Sequence, residues 1–366
     1  MILELLIPVG VVCAINTVLA IILVLADARL GFGPCKLTIN DDKDLTVPGG
    51  QPLLSTLKSN SVFIPSACGG RGSCGLCKVK VLEGGGSILA TETPFITVEE
   101  QKDNVRLSCQ VKIRRDLRIQ IESSFFNVKQ YATEVTEIRD LTHDIKLVAF
   151  KMLDPLEISF KPGQYVQLEI PAYALTREPI YRAYSVASDP SVTGRLELII
   201  RHVPNGIATT YVHKHLKVGE RIMLNGPYGD FYLRQTDAEM ICIAGGSGMA
   251  PIRSILLDMA RHNNQRRCRY YFGARARRDL FLVDELRGIE KQLPNFKFTP
   301  TLSGAETGDN WDGDTGLVTE IADREIADAS RAEAYLCGNP RMIDACVALL
   351  KSKGMPESNI FYDKFA

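Results

Sequence analysis

The sequence has no surplus of charge of either sign, because 43 lysines and arginines balance 43 aspartates and glutamates among its 366 residues. Without net charge the chain has no overall field to attract nucleic acid, so we expect no nucleic-acid partner. Its ten cysteines are too few for a disulfide scaffold. The hydrophobic fraction of 45% is enough for two or three domains with buried cores.

Four of the cysteines stand at the spacing of metal ligands. Cys68, Cys74 and Cys77 follow a C-x5-C-x2-C pattern in the glycine-rich stretch SACGGRGSCGLC, and Cys109 comes after 31 intervening residues. Three thiolates in one loop and one remote thiolate are the ligation scheme of a plant-type [2Fe–2S] cluster, although the usual first spacing is one residue shorter. The glycines allow positive φ and bring backbone N–H groups towards the sulfurs.

Two alternatives for these four cysteines stay open. A structural zinc also takes four thiolates, although it usually draws them from two separate C-x-x-C knuckles. Disulfides would need an oxidising compartment. The spacing favours the cluster over both. Five further cysteines are interpreted as core or neutral positions, namely Cys13, Cys35, Cys242, Cys268 and Cys346.

The N-terminal apolar run lacks the basic residues that precede a signal peptide. Leu5–Ala26 contains no charge, and as a helix it is long enough to cross a hydrocarbon core of about 30 Å. A cleaved signal peptide is disfavoured because the only preceding charge is Glu4. A buried core helix is disfavoured because the run is apolar all round. Arg29, Lys36 and Lys43 follow, so the positive-inside rule predicts a single-pass protein with its remainder in the cytoplasm.

The rest of the chain divides by the type of element that its pattern predicts. Residues 31–125 show the period-2 alternation of half-buried strands, as in KVKVLE. Together with the cluster loop, this predicts a small β-rich ferredoxin domain with a β-grasp-like fold. Residues 126–236 are again rich in strands, which predicts an antiparallel β-barrel. Strands alternate with helices over residues 237–366, which predicts an α/β domain with a parallel sheet. With residues 1–30 as a transmembrane anchor, the predicted fold class is multidomain.

The parallel-sheet part lacks the G-x-G-x-x-G dinucleotide fingerprint. Its first strand-to-helix turn is GGSGMAP, with Gly246, Ser247 and Gly248 in the turn and Pro251 in the first helical turn. Such a turn lets a diphosphate approach the backbone N–H groups at the helix start. A second turn, CGNP, begins at Cys337 after a later strand. We expect both turns at the carboxyl edge of one sheet, where such folds bind ligands.

The barrel part carries RAYS, at residues 182–185, and then RHVPNGIATT. With the cluster loop, RAYS, GGSGMAP and CGNP in this order, the whole chain resembles the ferredoxin-NAD(P)H reductase superfamily fused to an N-terminal ferredoxin. The apolar run and the x5 spacing make it most similar to the family of F subunits of sodium-translocating NADH:quinone reductases. It departs from that family in having only ten residues between QYVQLEIP and RAYS, and CGNP in place of CGPP.

The resemblance implies FAD, a [2Fe–2S] cluster and NADH as cofactors. In the flavin site, Arg182 would pair with a flavin phosphate. Tyr184 would lie against the isoalloxazine, and Ser185 would hydrogen-bond near its reactive nitrogen. Gly206 and Thr209 would bring a helix start to the FAD diphosphate, in agreement with the anion affinity of helix N-termini.

The resemblance also implies a nicotinamide site. Gly246, Ser247 and Gly248, with Pro251, would line the nucleotide, and Arg275 would contact its adenosine half. Cys337 and Gly338 would sit by the nicotinamide ring. Phe365 would cover the flavin face, with Tyr362 as the alternative. Arg277 and Arg278 could hold a 2′-phosphate, although the resemblance favours NADH. The residues implied in catalysis are Ser185, Tyr184, Cys337 and Phe365.

The implied function is electron transfer from NADH to FAD, then to the [2Fe–2S] cluster, then to other integral-membrane redox subunits of a complex. The protein would lie in the bacterial cytoplasmic membrane with its soluble domains on the cytoplasmic side. Two alternatives remain. The chain could be the reductase component of a multicomponent oxygenase, which shares the three-domain order, or a non-catalytic electron-carrier module.

Overall fold

The structure is a computed structural model that describes residues 12–22, 32–122, 125–126, 128–305 and 310–365. The chain divides into two compact units, Met1–Asn127 and Val128–Ala366. Residues 12–22 form helix α1. The predicted span Leu5–Ala26 continues beyond α1 at both ends into residues outside the described ranges. No helix within those ranges has the length and apolarity to cross a membrane.

The first unit is built on a five-stranded sheet in the order β2-β1-β5-β3-β4. Val79 and Val81 of the predicted strand KVKVLE point into its core, which confirms the period-2 prediction. Strands β1 and β5 run parallel, and the other neighbours run antiparallel. The elements are β1 (Pro34–Ile39), β2 (Lys43–Pro48), α2 (Leu53–Ser59), β3 (Lys78–Glu83), α3 (Val98–Lys102), β4 (Val105–Leu107) and β5 (Leu117–Gln120).

A buried ion pair closes the segment between β3 and β4. The Arg106 guanidinium donates to the Glu92 carboxylate, with Nη2 and Oε2 2.7 Å apart, and Glu92 is wholly buried. Burial alone would raise the pKa of Glu92, but hydrogen bonds from Arg106 and from the Leu89 and Leu107 amides outweigh it and lower that pKa. Because Leu107 precedes the segment that bears Cys109, the pair helps to fix the fourth predicted ligand.

The first part of the second unit is an antiparallel sheet of six strands in the order β10-β7-β6-β11-β8-β9. A bridge between Val186 and Leu198 joins the end of β9 to β10 and closes the sheet into the predicted barrel. The elements are β6 (Lys129–Asp140), β7 (Ile145–Asp154), β8 (Tyr165–Ile170), β9 (Ile180–Ser185), β10 (Arg195–Arg201), α4 (Ile207–Lys214) and β11 (Arg221–Tyr228).

The second part is a six-stranded parallel sheet in the order β15-β14-β13-β12-β16-β17. Its central strands are nearly continuous buried runs, as both faces are covered by helices. The elements are β12 (Glu239–Gly245), α5 (Met249–Arg261), β13 (Cys268–Ala274), α6 (Val283–Gln292), β14 (Phe296–Leu302), β15 (Asp314–Thr315), α7 (Val318–Glu325), β16 (Ala332–Gly338), α8 (Pro340–Ser352) and β17 (Ile360–Lys364).

The barrel and the parallel sheet share one hydrophobic core. Leu147 and Ile199 of the barrel belong to the same buried cluster as Met249, Ile252 and Leu256 of α5. Helix α6 packs into this cluster too, whereas α7 and α8 cover the opposite face of the sheet. The shared core fixes α5, and with it the GGSGMAP turn, against the barrel.

We expect the substitution Arg106→Met to leave the Glu92 carboxylate buried without a counter-charge. Removing one partner of a buried ion pair costs about 3–5 kcal/mol. Hydrogen exchange of the β3 and β4 amides in the full chain should therefore accelerate strongly. Arg118→Met is the matched control, since Arg118 pairs with Asp41 and Glu83 but is 42% exposed, and exposed pairs contribute little. Equal exchange in the two variants would contradict the prediction.

Candidate functional site

The loop before β3 brings the first two predicted cluster ligands together. The sulfurs of Cys68 and Cys74 lie 3.4 Å apart. Hydrogen bonding with Cys74 lowers the pKa of Cys68, and the backbone amides of Ser73, Gly70 and Arg71 act in the same direction against burial. The loop can point these amides at the sulfur because its four glycines adopt positive φ, at positions 69, 70, 72 and 75.

The other two predicted ligands form a second pair. Cys77 and Cys109 are both buried in one core cluster, and each thiol shifts the pKa of the other, that of Cys77 upwards and that of Cys109 downwards. The Ser108 N–H donates to the Cys77 carbonyl oxygen, 2.8 Å away, which ties the remote segment to the loop. Each iron of a [2Fe–2S] cluster takes two protein thiolates, so two pairs of thiols fit that group.

Among the residues that the structure describes, no three or more His, Cys, Asp or Glu side chains converge on a point that could hold one metal ion.

Strand β9 carries the three side chains predicted for the flavin. Its residues pair with β8, Tyr184 opposite Val166, so the strand lies at the seam of the barrel. Arg182 and Tyr184 are partly exposed, and Nη1 of Arg182 donates to the Tyr181 carbonyl oxygen at 2.7 Å. Burial raises the pKa of Tyr184. Ser185 ends the strand with 6% of its surface exposed.

Helix α4 begins after Gly206, which lies in a tightly packed turn. A side chain at Gly206 would place its Cβ 2.6 Å from Thr209 Oγ1 and 3.0 Å from the Val203 carbonyl oxygen. The Thr209 hydroxyl accepts a hydrogen bond from the Val203 N–H at 3.1 Å. Thr209 therefore holds the loop in shape, while the first backbone N–H groups of the helix have no partner within the helix.

The two glycine turns of the parallel sheet meet at its carboxyl edge, as predicted. They follow β12 and β16, which are neighbours in parallel register. A Cβ at Gly248 would lie 2.3 Å from the Cys337 carbonyl oxygen, and one at Gly338 would lie 3.2 Å from the Gly245 carbonyl oxygen. Only glycine permits this approach, so the turns pack backbone against backbone. Ser247 is partly exposed beside them, and Pro251 is buried in α5.

Cys337 differs from an accessible thiol. Its side chain is wholly buried in the core cluster with Cys242 and Tyr270, and burial raises its pKa. Asp363 of β17 stands opposite it, and burial raises the pKa of Asp363 to about 6. The spacing of CGNP predicted the place of Cys337 at the strand end but not the burial of its side chain.

The chain end runs beside the second turn. The Phe365 N–H donates to the Gly338 carbonyl oxygen, 2.9 Å away, and Tyr362 is 49% exposed. Both aromatic candidates are therefore near the carboxyl edge of the sheet. Arg275, directly after β13, is exposed, and Nη1 of Arg277 donates to the Asn310 carbonyl oxygen at 3.0 Å.

Arg253 is a functional candidate that the sequence patterns did not reveal. Its guanidinium is almost buried between the two parts of the unit. Nη1 donates to the Ala187 carbonyl oxygen and to Glu197 Oε2, each at 2.7 Å, and Nε donates to Glu285 Oε1 at 2.6 Å. Ala187 follows Ser185 by two residues, so Arg253 links α5 to the flavin strand. The sequence feature that could have indicated this role is the charge of Arg253 within the apolar stretch MAPIRSILL.

Three known domain families match consecutive parts of the chain. The 2Fe-2S iron-sulfur cluster binding domain matches residues 37–114. The Oxidoreductase FAD-binding domain matches residues 132–232, and the Oxidoreductase NAD-binding domain matches residues 242–348. Each match coincides with one of the three folded parts, the ferredoxin sheet, the barrel and the parallel sheet.

Solved structures of two reductases are similar in fold. The Amycolatopsis cytochrome P450 reductase GcoB is 27% identical with a TM-score of 0.73, over 90% of this chain and 98% of its own. The ferredoxin reductase in carbazole 1,9a-dioxygenase is 28% identical with a TM-score of 0.70, over 91% of this chain and 98% of its own.

Sequence relatives match nearly the whole chain. The F subunit of the Na(+)-translocating NADH-quinone reductase of Psychrobacter cryohalolentis is 34% identical over 94% of both chains. The protein of the same name in Neisseria meningitidis serogroup B is 34% identical over 99% of both chains. The chain therefore belongs to the family of F subunits of Na(+)-translocating NADH-quinone reductases, and it is an NADH-dependent oxidoreductase with [2Fe–2S], FAD and NAD-binding domains.

Proposed function

We propose that this chain is the NADH-oxidising subunit of a membrane-bound, ion-translocating NADH:quinone reductase or a related respiratory complex. NADH gives up a hydride at the parallel sheet, and electrons leave through the ferredoxin domain to an integral-membrane redox subunit. Bound FAD supplies the conversion of a two-electron donation into the single-electron steps that a [2Fe–2S] cluster needs. The observation that carries the proposal is the presence of two thiol pairs and two packed glycine turns on one chain.

In this proposal the nucleotide lies across the two turns. Gly246, Ser247 and Gly248 offer backbone N–H groups at the start of α5 to its diphosphate. Pro251 keeps the first turn of α5 rigid without removing a needed donor. Arg275 contacts the adenosine half of the nucleotide. Its position supports this role, because Arg275 is exposed and directly follows β13, the strand beside β12.

The nicotinamide ring lies near the CGNP turn. Gly338, which has no side chain, lets the ring approach the sheet edge. Cys337 acts from beneath the ring, because its wholly buried side chain belongs to the core cluster that supports the turn. Phe365 would cover the flavin face, with Tyr362 as the alternative aromatic residue.

On the flavin side, Arg182 pairs with a phosphate and Tyr184 lies along the ring. The Ser185 hydroxyl donates a hydrogen bond near the nitrogen that receives the hydride. Gly206 and Thr209 hold the start of α4 against the diphosphate. Their support is the packed turn described above, in which the Thr209 hydroxyl is committed to the loop and the backbone N–H groups remain for the ligand.

In the ferredoxin domain, the thiolates of Cys68, Cys74, Cys77 and Cys109 would hold the [2Fe–2S] cluster. The proposed domains are an anchor at 1–30, the ferredoxin domain at 31–125, the FAD domain at 126–236 and the NAD domain at 237–366. The anchor keeps the ferredoxin domain near its membrane partner and raises its effective concentration there. The soluble domains face the cytoplasm of a bacterial cell.

A second candidate is the reductase component of an oxygenase. The likeness to the reductases of a cytochrome P450 and of carbazole 1,9a-dioxygenase supports it. The uncharged run Leu5–Ala26 disfavours it, since a reductase with a soluble hydroxylase partner has no need of a membrane anchor.

Anaerobic titration of the purified full chain with NADH tests the electron path. We expect the flavin absorption to bleach and the paramagnetic signal of a reduced [2Fe–2S] cluster to follow. In Cys109→Ser the flavin should still bleach while the cluster signal is lost, whereas the matched variant Cys35→Ser should retain both, as Cys35 is buried but is not a proposed ligand. Absence of flavin bleaching in the unaltered chain would refute the proposal.

Membrane anchoring is tested by fractionating cells that express the full chain or residues 31–366. The full chain should stay with the membranes after a high-salt wash, because burial of about 20 apolar residues holds a span against ionic competition. The shortened chain should be found in the supernatant. Recovery of the full chain in the supernatant would contradict the anchor and favour the oxygenase-reductase alternative.

Arg253→Met should slow hydride transfer more than it weakens NADH binding. The variant loosens the link between α5 and Ala187, and a misplacement of about 1 Å can cost about 10²-fold in rate. Stopped-flow bleaching of the flavin at several NADH concentrations separates the two effects. The matched control is Arg261→Met on the same helix, which removes only the surface pair with Asp189. A rate loss shared equally by both variants would disprove this role.

A further inference from the structure

Ser108, next to a proposed cluster ligand, has a hydroxyl without a visible use. Its side chain is wholly buried, and its Oγ has no hydrogen-bond partner within the described residues. A buried hydroxyl without a partner costs free energy. Buried polar groups in native proteins nearly always have a hydrogen-bond partner, so we expect a bound group to accept the hydrogen bond of this hydroxyl.

The residues around Ser108 limit which group can accept a hydrogen bond from its hydroxyl. Its backbone N–H is already bonded to the Cys77 carbonyl oxygen, and the core cluster that holds Cys77 and Cys109 is apolar. Lys78 and Leu107 stand opposite each other in the β3–β4 ladder, so Cys77 and Ser108 are the next residues to face each other. Side chains of directly opposite residues lie on the same face of a sheet, which places the Ser108 hydroxyl on the side of the Cys77 thiol.

Gln110, on the other side of Cys109, presents a second donor. Its Nε2 lies 3.6 Å from the Cys109 sulfur. Its Oε1 accepts a hydrogen bond from the Thr91 hydroxyl at 3.0 Å, which fixes the amide with its NH₂ group towards the sulfur. The residues on both sides of Cys109 thus direct side-chain donors at the same thiol pair, whereas the amides that act on Cys68 belong to the backbone.

We propose that Ser108 tunes the [2Fe–2S] cluster by donating a hydrogen bond to the Cys77 thiolate, assisted by Gln110 at the Cys109 thiolate. Reduction adds one electron to the cluster and increases the negative charge on its sulfurs. Donors to those sulfurs stabilise the reduced form more than the oxidised form and so raise the reduction potential. This inference rests on the proposed function, because it needs the cluster to be bound.

The test is a mediated redox titration of the full chain, followed by the paramagnetic signal of the reduced cluster. Ser108→Ala should shift the midpoint to more negative values, with about a fivefold lower ratio of reduced to oxidised cluster at the wild-type midpoint, as for one ordinary hydrogen bond. Gln110→Met should shift it in the same direction. Ser55→Ala is the control, because the hydroxyl of exposed Ser55 in α2 donates to the Pro52 carbonyl oxygen and to no proposed ligand, and it should leave the midpoint unchanged.

Ser108→Thr and Ser108→Val provide a second comparison if the alanine variant fails to assemble its cluster. The two side chains have the same shape and differ in the hydroxyl alone, so the threonine variant should keep the higher midpoint. Equal midpoints for this pair, or for Ser108→Ala and the wild type, would overturn the inference alone. A wild-type chain that shows no cluster signal at any potential would overturn the proposed function and this inference with it.

Discussion

The geometry of the nucleotide edge depends on the contact between Gly248 and the Cys337 carbonyl oxygen. No side chain fits there, since a Cβ would lie 2.3 Å from that oxygen. The contact sets how closely the start of α5 approaches β16. The position of α5 then decides where Arg253 meets the barrel, and the position of β16 decides where β17 and Phe365 lie. One steric constraint therefore organises both sides of the proposed hydride path.

Buried ion pairs fix the elements that surround this contact. Arg253 joins Glu197 of the barrel to Glu285 of α6. Arg266 reaches Glu333 of β16 and also donates to the Arg234 and Ala238 carbonyl oxygens of the segment between barrel and sheet. Buried pairs contribute little net stability compared with apolar packing. We interpret these ion pairs as constraints on the position of the elements, because the rigid, planar guanidinium donates its hydrogen bonds in fixed directions.

Local patterns in the sequence predicted much of this structure. Period-2 alternation, the strand-helix alternation and the glycine turns identified the ferredoxin sheet, the barrel and the parallel sheet, because each depends on neighbouring residues. Arg253, Ser108 and Asp363 were not found, since their importance arises from partners distant in sequence. The burial of Cys337 was missed for the same reason: a thiol at a strand end looks alike in the sequence whether its side chain faces the core or a ligand.

The closure of the barrel has a consequence for how such a protein can evolve. Val186 bridges to Leu198, and the next two residues are held from outside the barrel by α5, through Arg253 to Ala187 and through Ser254 to Ser188. The seam of one part is thus completed by a helix of the other. A change of the gene that separated the two parts would expose this seam and divide their shared core. The ferredoxin unit has a core made of its own residues, so the same change would leave that core intact.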